Sequence, residues 1–172
     1  FPFMDESIAS EYESRYMDER YPGKKLWELS FKKRKLAEFF HIEEMPVQRI
    51  QEIEWLVRAR RNLEKPVNLA AHDYSYSNYG SIIYNKGAQG FNYLRTYLGD
   101  SLFDSIIHDY YRTWKNSHPL PEDLRAVFES HTAKDLSWFF DDFMGTTKRL
   151  DYKMVRIENQ KLLIKNRGEL KA

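Results

Sequence analysis

The sequence predicts a mainly α-helical fold that ends in a short β-hairpin. Three observations carry that prediction. Apolar residues recur three and four positions apart along most of the 172 residues, the period of one helix face. Only 7 Gly and 6 Pro are present, too few for a sandwich built on many turns. From Tyr152 onward the period changes to alternation. With 12 Tyr, 11 Phe and 4 Trp, the chain has enough apolar bulk to fill a core.

The elements follow in order. Ile8, Tyr12 and Tyr16, with Ala9 alongside, mark a helix from Asp5 to Arg20 that Tyr21-Pro22-Gly23 stops. Leu29, Leu36, Phe39 and Phe40 anchor a second helix over residues 26–40. A third begins after Pro46, whose missing N–H suits a first helical turn, and carries Val47, Ile50, Ile53, Trp55, Leu56 and Val57. Between Asn62 and Asn78 the period breaks, and Pro66, Asn68, His72-Asp73 and residues 74–78 read as an ordered polar loop. After Gly80, Ile83, Gly87, Phe91, Leu94 and Leu98 share a helical face that Gly99 ends in a left-handed cap. Leu102, Phe103, Ile106, Ile107, Tyr110 and Trp114 define the next helix. Beyond the turn at Pro119-Leu120-Pro121, Leu124, Val127 and Phe128 face inward from a helix over residues 122–130. A last helix over residues 135–144 is built on Leu136, Trp138, Phe139, Phe140 and Phe143. In the tail, residues 152–157 and 161–165 form two strands joined at Glu158-Asn159-Gln160. A lone hairpin is marginally stable. The expected organisation is therefore a helical lobe over residues 1–150 and the start of a following β segment or domain over residues 151–172.

The 27 basic and 26 acidic side chains nearly cancel, so no nucleic-acid partner or acidic membrane surface is implied. The absence of Cys excludes disulfides and thiolate metal sites. No apolar run approaches membrane-spanning length. The basic clusters Lys32-Lys33-Arg34-Lys35 and Arg58-Ala59-Arg60-Arg61 have Glu38, Glu52 and Glu54 nearby. They read as solvated helix faces with ion pairs each worth a few tenths of a kcal/mol.

Three segments carry a more specific signal. Phe3-Met4-Asp5-Glu6-Ser7-Ile8-Ala9-Ser10-Glu11-Tyr12-Glu13 resembles the helix that supplies the third zinc ligand in gluzincin metallopeptidases of the aminopeptidase N and leukotriene A4 hydrolase type, peptidase family M1. Tyr79-Gly80-Ser81-Ile82-Ile83-Tyr84-Asn85-Lys86-Gly87-Ala88 resembles that family's Tyr-x-Lys-Gly segment. Asp135-Leu136-Ser137-Trp138-Phe139-Phe140-Asp141-Asp142-Phe143 resembles its D-L-x-W-F-F-x-Q-W stretch, whose role is packing. Two departures stand out: Ser7 replaces the usual Gly, a small added bulk that the helix is expected to tolerate, and Asp142-Phe143 replace Gln-Trp.

The resemblance implies the helical C-terminal lobe of a thermolysin-like catalytic domain. It implies Glu6 as the third zinc ligand and Tyr84 as the phenol that donates to the developing oxyanion. Tyr79 corresponds to a tyrosine bordering the site, and Gly87 with Ala88 lets the Tyr84 helix pack tightly. A phenol with a pKa of about 10 stays protonated at working pH and donates without competing for the metal. The implied parent is a zinc metallopeptidase, plausibly an aminopeptidase, acting on peptides through metal-activated water.

Only five residues precede Glu6, and no H-E-x-x-H pair occurs in the sequence. The chain is therefore expected to be part of a larger enzyme whose N-terminal half of the catalytic domain is its structural partner. It is expected to be inactive alone, without zinc of its own. Analogy with bacterial relatives favours an exported or periplasmic location. None of the five histidines forms an i, i+4 pair, and His72-Asp73 is the pair that could line the cleft. The alternative is a non-catalytic helical scaffold or interaction module derived from the same fold.

Overall fold

The computed structural model describes residues 1–30, 33–47, 49–158 and 160–170, and among them all side chains except those at 29, 30, 50 and 51. The side chains of the expected anchors Leu29 and Ile50 therefore lie outside those described, as do residues Lys32 and Asn159. A 3-10 turn, Pro2–Met4, leads into α1 (Glu6–Arg20), followed by α2 (Leu26–Ser30), α3 (Arg34–Phe39) and α4 (Arg49–Arg60). After a 3-10 turn at Ala71–Asp73 come α5 (Tyr76–Tyr79), a π-helical segment (Gly80–Gly87) and α6 (Ala88–Leu98). Then follow α7 (Asp100–Trp114), α8 (Pro121–His131), a second π-helical segment (Trp138–Met144), and strands β1 (Tyr152–Glu158) and β2 (Lys161–Asn166). The fold is mainly α with a C-terminal hairpin, as the periodicities predict. Among the described residues, no helix is long and apolar enough to cross a membrane.

The molecule is organised on a rod. Helix α5, the first π segment and α6 run on without leaving right-handed helical φ and ψ. Ile82, Ile83, Phe91 and Leu94 on this rod are fully buried. Phe91 stacks on Phe3 (centroids 6.5 Å apart) and meets Phe139 edge-on at 5.4 Å. Gly90 leaves the space that the Phe143 ring occupies. The aromatic run at 138–144 is therefore core, as expected from sequence. Gly99 caps α6 at φ 90°, and its extended ψ of 147° turns the chain directly into α7 instead of forming a left-handed helical cap.

Helix α1 departs from its expected stripe. Ile8 is buried and Tyr12 packs against the core, but Tyr16 and Ala9 are exposed, while Ser7, Ser10 and Glu11 are buried. The reason is that α1 lies against the rod through small and paired polar side chains. Arg95 Nε donates to Glu11 at 2.7 Å, and Arg15 binds both oxygens of Asp104 at 2.5 and 2.9 Å. Burial raises the Glu11 pKa against the opposing effect of Arg95.

The stretch after α1 also differs from expectation. The single helix over 26–40 is divided into α2 and α3. Leu36, Phe39 and Phe40 are exposed, and Ala37 is the buried residue of α3. Residue His41 at φ 55° closes α3, with Ile42 N–H bonded to Ala37 O and His41 N–H to Glu38 O, the paired bonds of a Schellman turn. Pro46 does not open α4. It lies in an isolated bridge with Lys25, three residues before the helix starts. On α4, Ile53, Leu56 and Val57 are exposed, Trp55 packs against the core and Ala59 is buried.

The polar loop before the rod is ordered around Tyr74, whose hydroxyl donates to the carbonyls of Pro66 (2.6 Å) and Val67 (2.8 Å). The hairpin pairs antiparallel from Tyr152↔Asn166 to Glu158↔Lys161, with an irregularity between Met154 and Arg156, and its side chains are exposed. Beyond it the chain returns, and Leu170 is fully buried in the core.

Burial holds the phenols of Tyr74 and Tyr110 up at about 12, with Asp5 and Asp123 adding to the shift at Tyr110, and it raises Tyr12 as well. An acid whose folded pKa exceeds its unfolded value stabilises the fold below the unfolded pKa and loses that contribution above it. Urea stability should therefore hold up to about pH 10 and decline from there toward pH 12. Tyr74→Phe with Tyr110→Phe should flatten the decline, and an equally steep one in the double variant would refute this origin.

Candidate active site

Residues Glu6, Tyr84 and Tyr79 converge at the start of α1. Asp5 caps the helix by accepting Glu6 N–H at 2.8 Å, which presents Glu6 in the first turn at the positive end of the helix dipole. Glu6 is half-buried. Its carboxylate lies near enough to the Tyr84 hydroxyl for its charge to act on the phenol. The Tyr84 phenol is pushed above its ordinary value by burial first, then by the neighbouring Glu6 carboxylate. Tyr79 is raised for the same leading reason, with Glu6 and Asp5 adding their fields.

The π segment explains how two tyrosines five residues apart share this site. In an ordinary α-helix, positions 79 and 84 would point to different sides. Bonds of i→i+5 type place residues five apart nearly above one another, and such segments recur at functional sites. The Tyr79 and Tyr84 rings accordingly meet edge-on at 5.8 Å.

Ser7 and Gly87 fix the approach of α1 to this segment. Ser7 is fully buried, and its hydroxyl donates to Ile83 O at 2.6 Å, the residue before Tyr84. Opposite it, a Cβ on Gly87 would overlap the Ser7 hydroxyl and come within 2.8 Å of its Cβ. Gly87 therefore gives the tight packing expected of it. Ser7 does more than fill space, because it ties the Glu6 helix to the Tyr84 segment. Gly87→Ala should cost about 1–3 kcal/mol by overpacking. An unchanged urea midpoint would contradict the closeness of this contact.

Lys86 is fully buried, and its ammonium is 3.6 Å from the Glu64 carboxylate, itself 3% exposed. Burial lowers the Lys86 pKa, and Glu64 opposes that shift. Sequence reading did not pair these residues, since Glu64 belongs to a stretch without helical period.

An open cleft of about 760 Å³ lies between α4 and the rod and is lined in part by Tyr84, Tyr79, Arg58, Arg61 and Glu54. His72 is not among its lining residues. Its side chain is 84% exposed and lies 3.6 Å from Asp73. Among the described residues, the ion pairs expected of the second basic cluster are not formed. Glu52 pairs with Arg49, Glu54 accepts from Asn85 at 3.0 Å, and none of the ion pairs among the described residues uses Arg58, Arg60 or Arg61. In the first cluster Arg34 does pair with Glu38 at 3.0 Å.

The sequence profile described as the Peptidase family M1 domain matches residues 2–143, which include α1, the rod and all but the last residue of the second π segment. The chain belongs to peptidase family M1. Comparison with curated proteins and with solved structures gives no match. An M1 domain is a peptidase domain, so the convergence of Glu6 and Tyr84 lies within a hydrolase framework. Among the described residues of this M1 chain, no group of three His, Cys, Asp or Glu side chains is arranged to hold a metal ion. Glu6 fits a metal as a single carboxylate donor: it is half-buried at a helix N-terminus, and the phenol of Tyr84 lies near it.

Proposed function

We propose that this chain contributes the third zinc ligand, Glu6, and the oxyanion donor, Tyr84, to a zinc-dependent M1 metallopeptidase, plausibly an aminopeptidase, that hydrolyses peptide bonds. The observation that carries the reading is the bond from the Ser7 hydroxyl to Ile83 O, which sets the residues beside Glu6 and Tyr84 against each other across two separate helices, with the Glu6 charge raising the Tyr84 phenol. Zinc, when bound, supplies Lewis acidity and a water acidic enough to act as a nucleophile near neutral pH.

The chain's own residues act around that chemistry. Glu6 provides one oxygen ligand from a rigid helix turn. Tyr84 stays protonated, because burial and Glu6 hold its pKa above the ordinary value, and donates to the substrate oxygen that gains charge during attack. Tyr79 packs edge-on against the Tyr84 ring and limits its swing. Ser7 holds the two helices in register through Ile83 O. The histidine ligands and general base implied by the family would come from an H-E-x-x-H helix, which this sequence does not contain. Alone, the chain is expected neither to retain zinc nor to cleave peptides.

The test is a chain extended upstream to include such a helix, assayed for metal content and peptide cleavage. Glu6→Gln should lower zinc retention at least about tenfold, in the range seen when a metal site loses a supporting interaction. Full zinc occupancy and full activity in Glu6→Gln would overturn the assignment. An upstream sequence with no histidine pair would favour the scaffold reading instead.

A further inference from the structure

Among the described residues, no carboxylate forms an ion pair with the two arginines that line the cleft beside Tyr84, Arg58 and Arg61. We infer that Arg58 and Arg61 form a carboxylate subsite that receives an anionic group of the peptide held at Tyr84. The inference rests on the peptidase reading and adds a substrate class to it: short peptides bearing a carboxylate a few atoms from the bond to be cleaved.

The local fold directs both side chains to this wall. Helix α4 ends with Asn62 at φ 55°. Asn62 N–H bonds to Ala59 O at 3.1 Å, and Leu63 N–H bonds to Arg58 O at 3.1 Å. This Schellman closure fixes the last helical turn. Arg149 adds a further tie from outside by donating to Ala59 O and, at 2.8 Å, to Asn62 Oδ1. Arg58 stands in the last turn of α4 and Arg61 in the turn that closes it, with Arg61 N–H bonded to Arg58 O at 3.0 Å, and both line the cleft that also holds Tyr79 and Tyr84.

Among the described residues, neither guanidinium is paired with a carboxylate. The Arg58 guanidinium donates over a long 3.5 Å to Asn78 Oδ1. Glu54, the acid on the same wall, is held by Asn85 at 3.0 Å. Elsewhere on the molecule Arg15, Arg34, Arg49, Arg95, Arg125 and Arg149 all meet carboxylates. Arginine presents a planar fork that matches a carboxylate in two parallel bonds. A cleft of about 760 Å³ is within the range of small-ligand sites, about 300–1,000 Å³. A peptide with its reacting carbonyl at the Tyr84 hydroxyl and its chain along the cleft would bring a terminal carboxylate, or an acidic side chain, to the pair.

The test uses the 172-residue chain with isotope-labelled arginines and three probes: trialanine, trialanine amide and Ala-Ala-Asp amide. Trialanine should shift the Arg58 and Arg61 side-chain resonances and bind about tenfold more tightly than its amide, a difference of about 1.4 kcal/mol. Arg58→Gln and Arg61→Gln should each bring that ratio toward one. If Ala-Ala-Asp amide behaves like trialanine, the subsite takes an acidic side chain as well. If it behaves like trialanine amide, the terminal carboxylate is the group recognised. Equal binding of trialanine and its amide by the unsubstituted chain overturns the inference, and that comparison needs no variant to fold. Loss of the zinc and cleavage results in the extended chain would remove the peptidase reading while leaving this binding ratio to be measured separately.

Discussion

An extended, zinc-loaded enzyme carrying Tyr84→Phe is expected to turn over peptides about a hundredfold more slowly, with KM little changed. The substitution removes one oxygen and keeps the ring that packs edge-on against Tyr79 at 5.8 Å. The lost interaction is one that strengthens as the substrate oxygen becomes negative, so kcat and kcat/KM should fall together. Because burial and the Glu6 carboxylate raise the Tyr84 phenol above 10, loss of the donor by ionisation should enter the alkaline limb of the wild-type profile only above pH 10. Tyr79→Phe should cost less, since the Tyr79 hydroxyl feels Glu6 through its field. Wild-type turnover in Tyr84→Phe would rule out the donor role, and a thermal midpoint that falls with activity would point to packing instead.

What was legible in the sequence divides along physical lines. Helical spacing located α6, α7 and α8 because their apolar stripes face the core, as Phe91, Phe103 and Phe128 do. On α1 it located the helix and its contacts at Ile8 and Tyr12 but missed the rest of the buried face, Ser7, Ser10 and Glu11, which pack by smallness or by pairing with Arg95 and not by hydrophobicity. It failed at residues 26–40 because exposed Phe39 and Phe40 imitate a core stripe. The positions of Glu6 and Tyr84 in the chain were readable from motif resemblance, but their meeting was not. It depends on the π-helical bonding of residues 80–87, which no period in the sequence announces. The free arginines of α4 were obscured for a similar reason. Glu52 and Glu54 lie close in sequence, yet their carboxylates are engaged by Arg49 and Asn85.

Removing Glu64 should be the most damaging single change to stability. Trp55 Nε1 donates to Glu64 Oε1 at 2.5 Å, Lys86 lies 3.6 Å from the same oxygen, and Arg149 approaches the other at 3.7 Å. The Lys86 ammonium also donates to Thr146 O at 3.2 Å and sits 5.6 Å from the Phe143 ring centroid. Glu64→Leu would leave a buried ammonium without its counter-charge, a loss of about 3–5 kcal/mol at neutral pH. Burial already lowers the Lys86 pKa below 10.5, and loss of Glu64 removes the group that opposes the shift. A base with a depressed folded pKa binds fewer protons in the folded state, so stability rises with pH up to its unfolded value. The deficit of Glu64→Leu should therefore shrink as pH rises toward 10.5, and adding Lys86→Met should recover most of it at pH 7. Urea titrations of both variants across that range provide the check. A double variant no more stable than Glu64→Leu would mean that the damage comes from lost packing around Trp55 and not from an orphaned charge. Lys86 stands two residues from Tyr84 on the π segment, so the same pair that secures the rod to the 144–149 return also holds the phenol's backbone in place beneath the cleft.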